Sequence, residues 1–334
     1  MKIFISIASY QDPLLANTIL DAFNNASNKN SLVFGICDQS KDSLDLGHFQ
    51  FSDQIRYEHV DTIFSKGPCW ARARIQELHQ DEEYYLQIDS HSLFDEAWDE
   101  KLINALNELK TLGRHSAYHK KPFLTGYPRA FELNAETNLF EKDDDDKKVM
   151  PIAYRKDSLF MKDKFSRQIG LRTSQEKFSH GFLLAAGFIF SDASMIKEVP
   201  YDQYYYFYGE ELSLMLRLFT HGYSAFHMAD LPIFHLYSTP ENIKRPLHWS
   251  PEEDKKRATK WHELEKKSIE RLSNLIHGKN LDGYCLGAER TLDDYKNFSG
   301  IDLFEKKVVD ERKATTNHFF EHSSWQDNPI LVSE

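Results

Sequence analysis

The chain is short of cysteine, of positive charge and of long apolar runs, and each shortage removes a class of protein. Three cysteines in 334 residues, Cys37, Cys69 and Cys285, form no ligand cluster and cannot all pair within the chain. They read as free thiols in a reducing, cytoplasmic setting. A formal net charge of −11, from 52 acidic and 41 basic residues, argues against a protein that tracks nucleic-acid phosphates. A nucleotide pocket survives that exclusion, because a few local cations or one divalent metal can offset a diphosphate. No apolar stretch reaches the roughly 18 to 20 residues of a membrane span. Met1-Lys2 runs straight into the strand-like Ile3-Phe4-Ile5-Ser6-Ile7 rather than into a leader. Neither a span nor a removable leader is expected, and internal repeats are also lacking.

Apolar residues make up 41% of the chain and aromatic ones 13%, which is enough for a packed core and excludes a disordered chain. The first half alternates two periodicities. Buried-strand runs at residues 3–8, 32–37, 55–60 and 84–88 are separated by helical patterns at 14–26, 69–80 and 96–112. Strand, crossover helix and strand in repetition predict an α/β fold, a mostly parallel sheet flanked by helices. Ligands of such sheets sit beyond the carboxyl ends of the strands, where Asp38 and Asp89 stand. Further strands are predicted at 182–190, 224–228 and 233–236, and helices at 210–221 and 251–275. Asp143 to Asp146 read as a solvated acidic loop, and the chain beyond about 275 as a short helical appendage with a polar tail.

Four fragments carry chemistry. In Leu86-Gln87-Ile88-Asp89-Ser90-His91, alternate positions of an extended segment project the same way, so Asp89 and His91 flank Ser90 and can reach one cation. A carboxylate and an imidazole suit Mn²⁺ or a comparable divalent ion; the same residues also read as a strand-end pair with no ligand. His235, in Ile233-Phe234-His235-Leu236-Tyr237, reads as a third ligand or as a satisfied core histidine. Glu210 and Glu211 follow Gly209 at a helix start. They either complement the helix dipole or place a carboxylate in a pocket, and the helical phase turns Glu211 toward the interior and Glu210 toward the mouth. Gly67-Pro68 opens a helix whose N-terminus, with Arg72 or Arg74, can face a diphosphate; one of the two arginines reads as a surface group.

Taken together, these fragments resemble a family. Ser6-Ile7-Ala8-Ser9-Tyr10-Gln11-Asp12-Pro13, Asp89-Ser90-His91, Gly209-Glu210-Glu211 and His235-Leu236-Tyr237 fall in the order seen in GlcNAc-transferases that modify protein hydroxyproline or other hydroxyl groups. Leu286-Gly287-Ala288-Glu289-Arg290-Thr291-Leu292-Asp293-Asp294-Tyr295 and Ser299-Gly300-Ile301-Asp302 look like that family's C-terminal signature, so the resemblance spans roughly residues 2–305. The Asp-Ser-His motif is also similar to that of the polypeptide N-acetylgalactosaminyltransferases. The resemblance implies a GT-A glycosyltransferase fold, with Asp89, His91 and His235 on Mn²⁺. It implies Ala8, Ser9, Tyr10 and Asp38 around uridine, and Arg72 or Arg74 toward the diphosphate. It sets Ser90 in the donor site, and Ala186, Gly187, Glu210 and Glu211 against the transferred sugar and the acceptor. Gln11 stands where many relatives carry a basic residue.

The expected protein is a GT-A catalytic domain over 1–250 with a helical C-terminal extension over 251–334. Its expected reaction is retaining transfer of GlcNAc or a similar hexosamine from a UDP-sugar to a hydroxyl on a protein or glycan. A capsule-type polysaccharide transferase and a non-catalytic carbohydrate-binding protein on a degenerate fold are the rival readings.

Overall fold

The computed structural model describes residues 1–113, 121–134, 136–137, 139–143, 147–160, 167–171, 177–238 and 245–316. Most of the acidic run (144–146) and the polar tail from 317 lie outside the described residues.

The apolar runs of the first half form strands β1 (Ile3–Tyr10), β2 (Leu32–Gln39), β3 (Ile55–Val60) and β4 (Tyr84–Asp89). Short β5 (Ser92–Phe94) follows, then β6 (Lys121–Thr125), β7 (Arg129–Leu133), β8 (Phe140–Lys142), β9 (Ile152–Tyr154) and β10 (Gln168–Gly170). Next come β11 (Phe178–Gly181), β12 (Phe188–Asp192), β13 (Tyr223–Met228) and β14 (Ile233–His235). Interleaved are α1 (Leu15–Asn25), α2 (Pro68–Glu77), α3 (Trp98–Gly113), α4 (Ser194–Glu198) and α5 (Glu210–Thr220). After them lie α6 (Pro251–Asp254), α7 (Trp261–Ile276), α8 (Leu292–Ser299) and α9 (Glu311–Thr316).

Among the described residues, eight strands make one sheet in the order β11-β13-β6-β12-β4-β1-β2-β3. The half built by the early chain, β4-β1-β2-β3, is parallel throughout, as the alternation predicts. The other half is mixed, because β12 runs antiparallel to both β4 and β6, and β11 antiparallel to β13. Side chains alternate across the sheet: Ile3, Ile5 and Ile7 of β1 pack with α1 and α3 on one face, while Phe4 joins α2 and α5 on the other. Both faces of β1 are covered, which is why that strand reads as a continuous apolar run.

Two predicted elements are different in the structure. The strand expected over 182–190 is confined to β12, preceded by β11, and residues 182–187 between them are not strand. Their backbone bonds to side chains instead: Thr125 Oγ1 donates to the Ala185 carbonyl and accepts from its N–H, and Gln87 donates to the Ala186 carbonyl at 2.7 Å. The helix expected over 251–275 breaks into α6 and α7. Lys260 Nζ donates to the carbonyls of Asp254, Lys255 and Arg257, Asp254 Oδ1 takes the Trp261 N–H at 2.8 Å, and Glu263 caps Lys260, so a new helix begins at 261.

The last helices share the core of the sheet. Leu272 and Ile276 of α7 and Tyr295 and Phe298 of α8 belong to the same buried cluster as Met215, Leu218 and Phe219 of α5. Tyr295 donates to the Phe182 carbonyl at 2.8 Å. Leu272 is fully buried and lies so near Gly209 that a Cβ there would sit 3.2 Å from its Cδ2. Truncating it leaves a cavity under the start of α5, and Leu272→Ala should cost about 2–5 kcal/mol in urea unfolding. A loss under about 0.5 kcal/mol, no more than a typical surface substitution, would show that α7 does not share the core.

Candidate active site

Four segments converge at the carboxyl end of β4. Asp89 ends that strand, and the register of β1 against it sets Ala8 opposite Asp89. β5 turns back from Ser90-His91, and its antiparallel pairing with β14 places Ser92 opposite His235, while the Leu236 N–H donates to the His91 carbonyl at 3.1 Å. This small pairing carries His235 across 146 positions to within 3.1 Å of Asp89. The ligand atoms of Asp89, His91 and His235 all lie within 4.8 Å of one another.

Each member is held in place by hydrogen bonds. Asp89 takes Arg72 Nη2 on Oδ1 at 2.8 Å and His235 on Oδ2. Burial would raise its carboxyl, but the His235 hydrogen bond and the Arg72 charge hold it well below the usual carboxylate range. Burial depresses His235 below its ordinary value, so the ring is neutral at pH 7, and its buried Nδ1 has no hydrogen-bond partner among the described residues. His91 Nδ1 lies 2.7 Å from Asp12 Oδ2. Burial pushes Asp12 up, yet the bond to His91 prevails and keeps it ionised. An ionised carboxylate only accepts, so Nδ1 carries the proton and Nε2 is the ring nitrogen left to face a ligand. One carboxylate and two imidazoles, one of them with a ring nitrogen that has no partner among the described residues, fit a divalent cation such as Mn²⁺.

Around the triad lies a cavity of about 430 Å³. Ala8, Ser9, Tyr10, Ser90, Ala186, Gly187, Arg72, Glu210 and Glu211 line it, together with Arg245, His248 and Trp249. Gly187 is required by close approach: a Cβ there would sit 2.8 Å from Asp89 Oδ2. Gly209, at φ 84°, adopts the left-handed conformation that starts α5 and aims its first two residues into the cavity.

Several sequence assignments change here. Glu210, expected at the mouth, is buried between Arg72 and Tyr201, both of which donate to its Oε1. Glu211, expected inside, is half-buried on the cavity wall, accepting from the Ala186 N–H at 2.9 Å and from Gln168. The helical phase was misjudged because a buried ion pair, not an apolar neighbour, decides which carboxylate turns inward. Arg74 does not line the cavity; it grips Glu58 and lies over the Trp70 ring. Asp38 also stands off the cavity wall, accepting from Tyr57 at 2.7 Å and Ser40 at 2.8 Å, and burial raises its carboxyl. Gln11 turns to Glu253 at 2.9 Å. Sequence reasoning gave no role to Tyr201, Gln168, Arg245 or His248, and it saw Asp12 only as part of a turn. Their partners are remote in the chain, and no local pattern marks them.

A family model described as Glycosyltransferase (GlcNAc) matches residues 2–50 and 44–305. The chain belongs to that family of GlcNAc glycosyltransferases. A crystal structure of GalNAc-T7 with UDP, GalNAc and Mn²⁺ superimposes with a TM-score of 0.56 at 10% identity, over 93% of this chain and 54% of that one. At this identity the likeness shows the fold, which is GT-A, and the chain spans about half of that protein's length. S. aureus TarS 1–349 in complex with UDP-GlcNAc, at 11% identity over 85% of this chain and 75% of that one, has a TM-score of 0.42, too low to argue from. Among curated proteins, none matches the chain. No helix among the described residues of this glycosyltransferase is long and apolar enough to cross a membrane.

One titration of the transferase is accessible to experiment. Burial raises Glu211 to about 7, the Ala186 N–H opposing and the Glu210 charge adding to the rise. The folded chain then holds a proton that the unfolded chain releases near its ordinary 4.5, so stability falls as pH climbs between the two values. Glu211→Gln should remove that fall. Urea midpoints of both proteins from about pH 4.5 to about pH 7.5 measure it, and parallel profiles would show an ordinary carboxyl.

Proposed function

We propose that this glycosyltransferase is metal-dependent and retaining, and moves GlcNAc or a similar hexosamine from a UDP-sugar to a hydroxyl, on a protein hydroxyproline or comparable acceptor. The observation that carries the reading is the Asp89-His91-His235 triad, set within one cavity beside Gly187 and Glu211. A divalent cation on the triad would supply Lewis-acid neutralisation of the leaving diphosphate. Ala8, Ser9 and Tyr10 line the side where uridine fits, with Asp38 behind them bracing the strand end. Three free cysteines accord with a cytoplasmic setting. In this reading residues 1–250 are the catalytic domain and 251–334 its C-terminal extension, of which α7 and α8 pack against α5.

The carboxylates divide the labour. Glu210 is a positioning residue, because it fixes Arg72, and Arg72 fixes Asp89. Glu211 faces the cavity and titrates near neutrality, so it can hydrogen-bond hydroxyls of the transferred sugar or the acceptor. Beyond Phe207 and Glu211 a second hollow of about 320 Å³, lined by Tyr127, Tyr154, Arg167 and Gln168, gives an acceptor room to approach. Front-face departure and attack needs no covalent nucleophile: the acceptor oxygen bonds the anomeric carbon as the bond to UDP breaks, and its proton passes to the departing phosphate oxygen.

Asp89→Ala removes the charged ligand and should abolish both Mn²⁺-dependent UDP binding and transfer while the circular dichroism is retained. Near-normal transfer by this variant without metal would sink the assignment. Calorimetry with Mn²⁺ should rank UDP above GDP and CDP. Glu211→Gln should lower turnover at least about tenfold, equivalent to about 1.4 kcal/mol, with UDP affinity little changed; an unchanged rate would remove Glu211 from the site.

A further inference from the structure

A nucleotide-sugar cavity needs cations, yet this one is rich in acid: Asp12, Asp89, Glu210 and Glu211 all line it. A diphosphate entering beside four carboxylates would be repelled unless positive charge faces it. The Asp89 triad accounts for one source, a bound cation. The two arginines marked by the sequence do not account for another. Arg72 is spent on Asp89 at 2.8 Å, on Glu210, and on Tyr201 at 3.1 Å, with its side chain 6% exposed. Arg74 faces Glu58 outside the cavity.

Arg245 is different. It lines the same cavity, and its buried Nη1 has no hydrogen-bond partner among the described residues. Among the described residues no carboxylate pairs with it. A buried guanidinium nitrogen with no acceptor is an unfavourable state that an anionic ligand relieves. The segment that carries it is anchored. His248 is buried, its ring 2.8 Å from the Tyr206 hydroxyl, and its carbonyl accepts from Arg257. Arg257 also donates to the Tyr10 hydroxyl at 3.0 Å, and Glu253 accepts from Tyr10 and Gln11, each at 2.9 Å. The chain after Arg245 is thereby latched to the end of β1, on the side where the nucleoside fits.

We propose that Arg245 grips the diphosphate of the nucleotide-sugar donor, in the place the sequence assigned to Arg72 or Arg74. This rests on the glycosyltransferase reading of the same cavity. The ligand class is a nucleoside diphosphate: the planar fork of a guanidinium matches phosphate oxygens in paired hydrogen bonds, which a point charge or an amide does not reproduce.

The test is calorimetry on the full chain with Mn²⁺, titrating UDP and, separately, uridine into the parent, Arg245→Gln and Arg245→Lys. The parent should bind UDP more tightly than uridine. Arg245→Gln should weaken UDP at least about tenfold and leave uridine within about twofold, with Arg245→Lys between. Parental UDP affinity in Arg245→Gln overturns the assignment, and so does an equal loss for UDP and uridine, the mark of a packing defect. If the parent itself binds no UDP, the glycosyltransferase reading fails and takes Arg245 with it. A parent that binds UDP beside an unaffected Gln variant refutes Arg245 alone.

Discussion

The site depends on one buried charge bridge. Arg72, on the second turn of α2, reaches Asp89 at the end of β4 and Glu210 at the start of α5, with Tyr201 completing the set. Buried charges persist only when paired and hydrogen-bonded, and removing one partner strands the others. The bridge therefore ties α2, β4 and α5 to one another through a single guanidinium. It also orients the candidate metal ligand: Oδ1 of Asp89 is taken by Arg72 and Oδ2 faces His235, so the carboxylate is held at both oxygens.

Around that bridge the backbone gives up regularity where the cavity needs polar groups. Ala185 and Ala186 read as strand, but their N–H and C=O groups bond to Thr125, Gln87 and Glu211. Breaking the ladder here forms a wall of the cavity and brings a residue without a Cβ against Asp89. The small β5–β14 pairing does the reverse, using regular hydrogen bonds outside the main sheet to fix His235 beside His91. Asp12 adds a second tier by setting the His91 proton on Nδ1.

The C-terminal residues belong to the same construction. Helices α7 and α8 complete the core beneath α5, and the segment around α6 closes the cavity at the end of β1 through Tyr10, Glu253, Arg257 and His248. An extension that supports the carboxylate helix and also lines the cavity couples fold stability to the geometry of the site.

Patterns short enough to be written in one segment were legible in the chain alone. The apolar strands β1 to β4, the helices between them, the parallel half of the sheet and the Asp89-Ser90-His91 step all follow from local periodicity. His235 could be nominated as a ligand, but its alternative as a core histidine was equally written in the sequence. Tertiary structure decided the rest: which of Glu210 and Glu211 turns inward, that Arg72 is consumed by carboxylates while Arg74 faces away, that Asp12 orients His91, and that Arg245 reaches the cavity. The physical reason is range. Periodicity reports which face of an element is buried, whereas an ion pair or a hydrogen bond between separate segments, 79 positions apart for Asp12 and His91 and 138 for Arg72 and Glu210, leaves no trace in the local order of either segment.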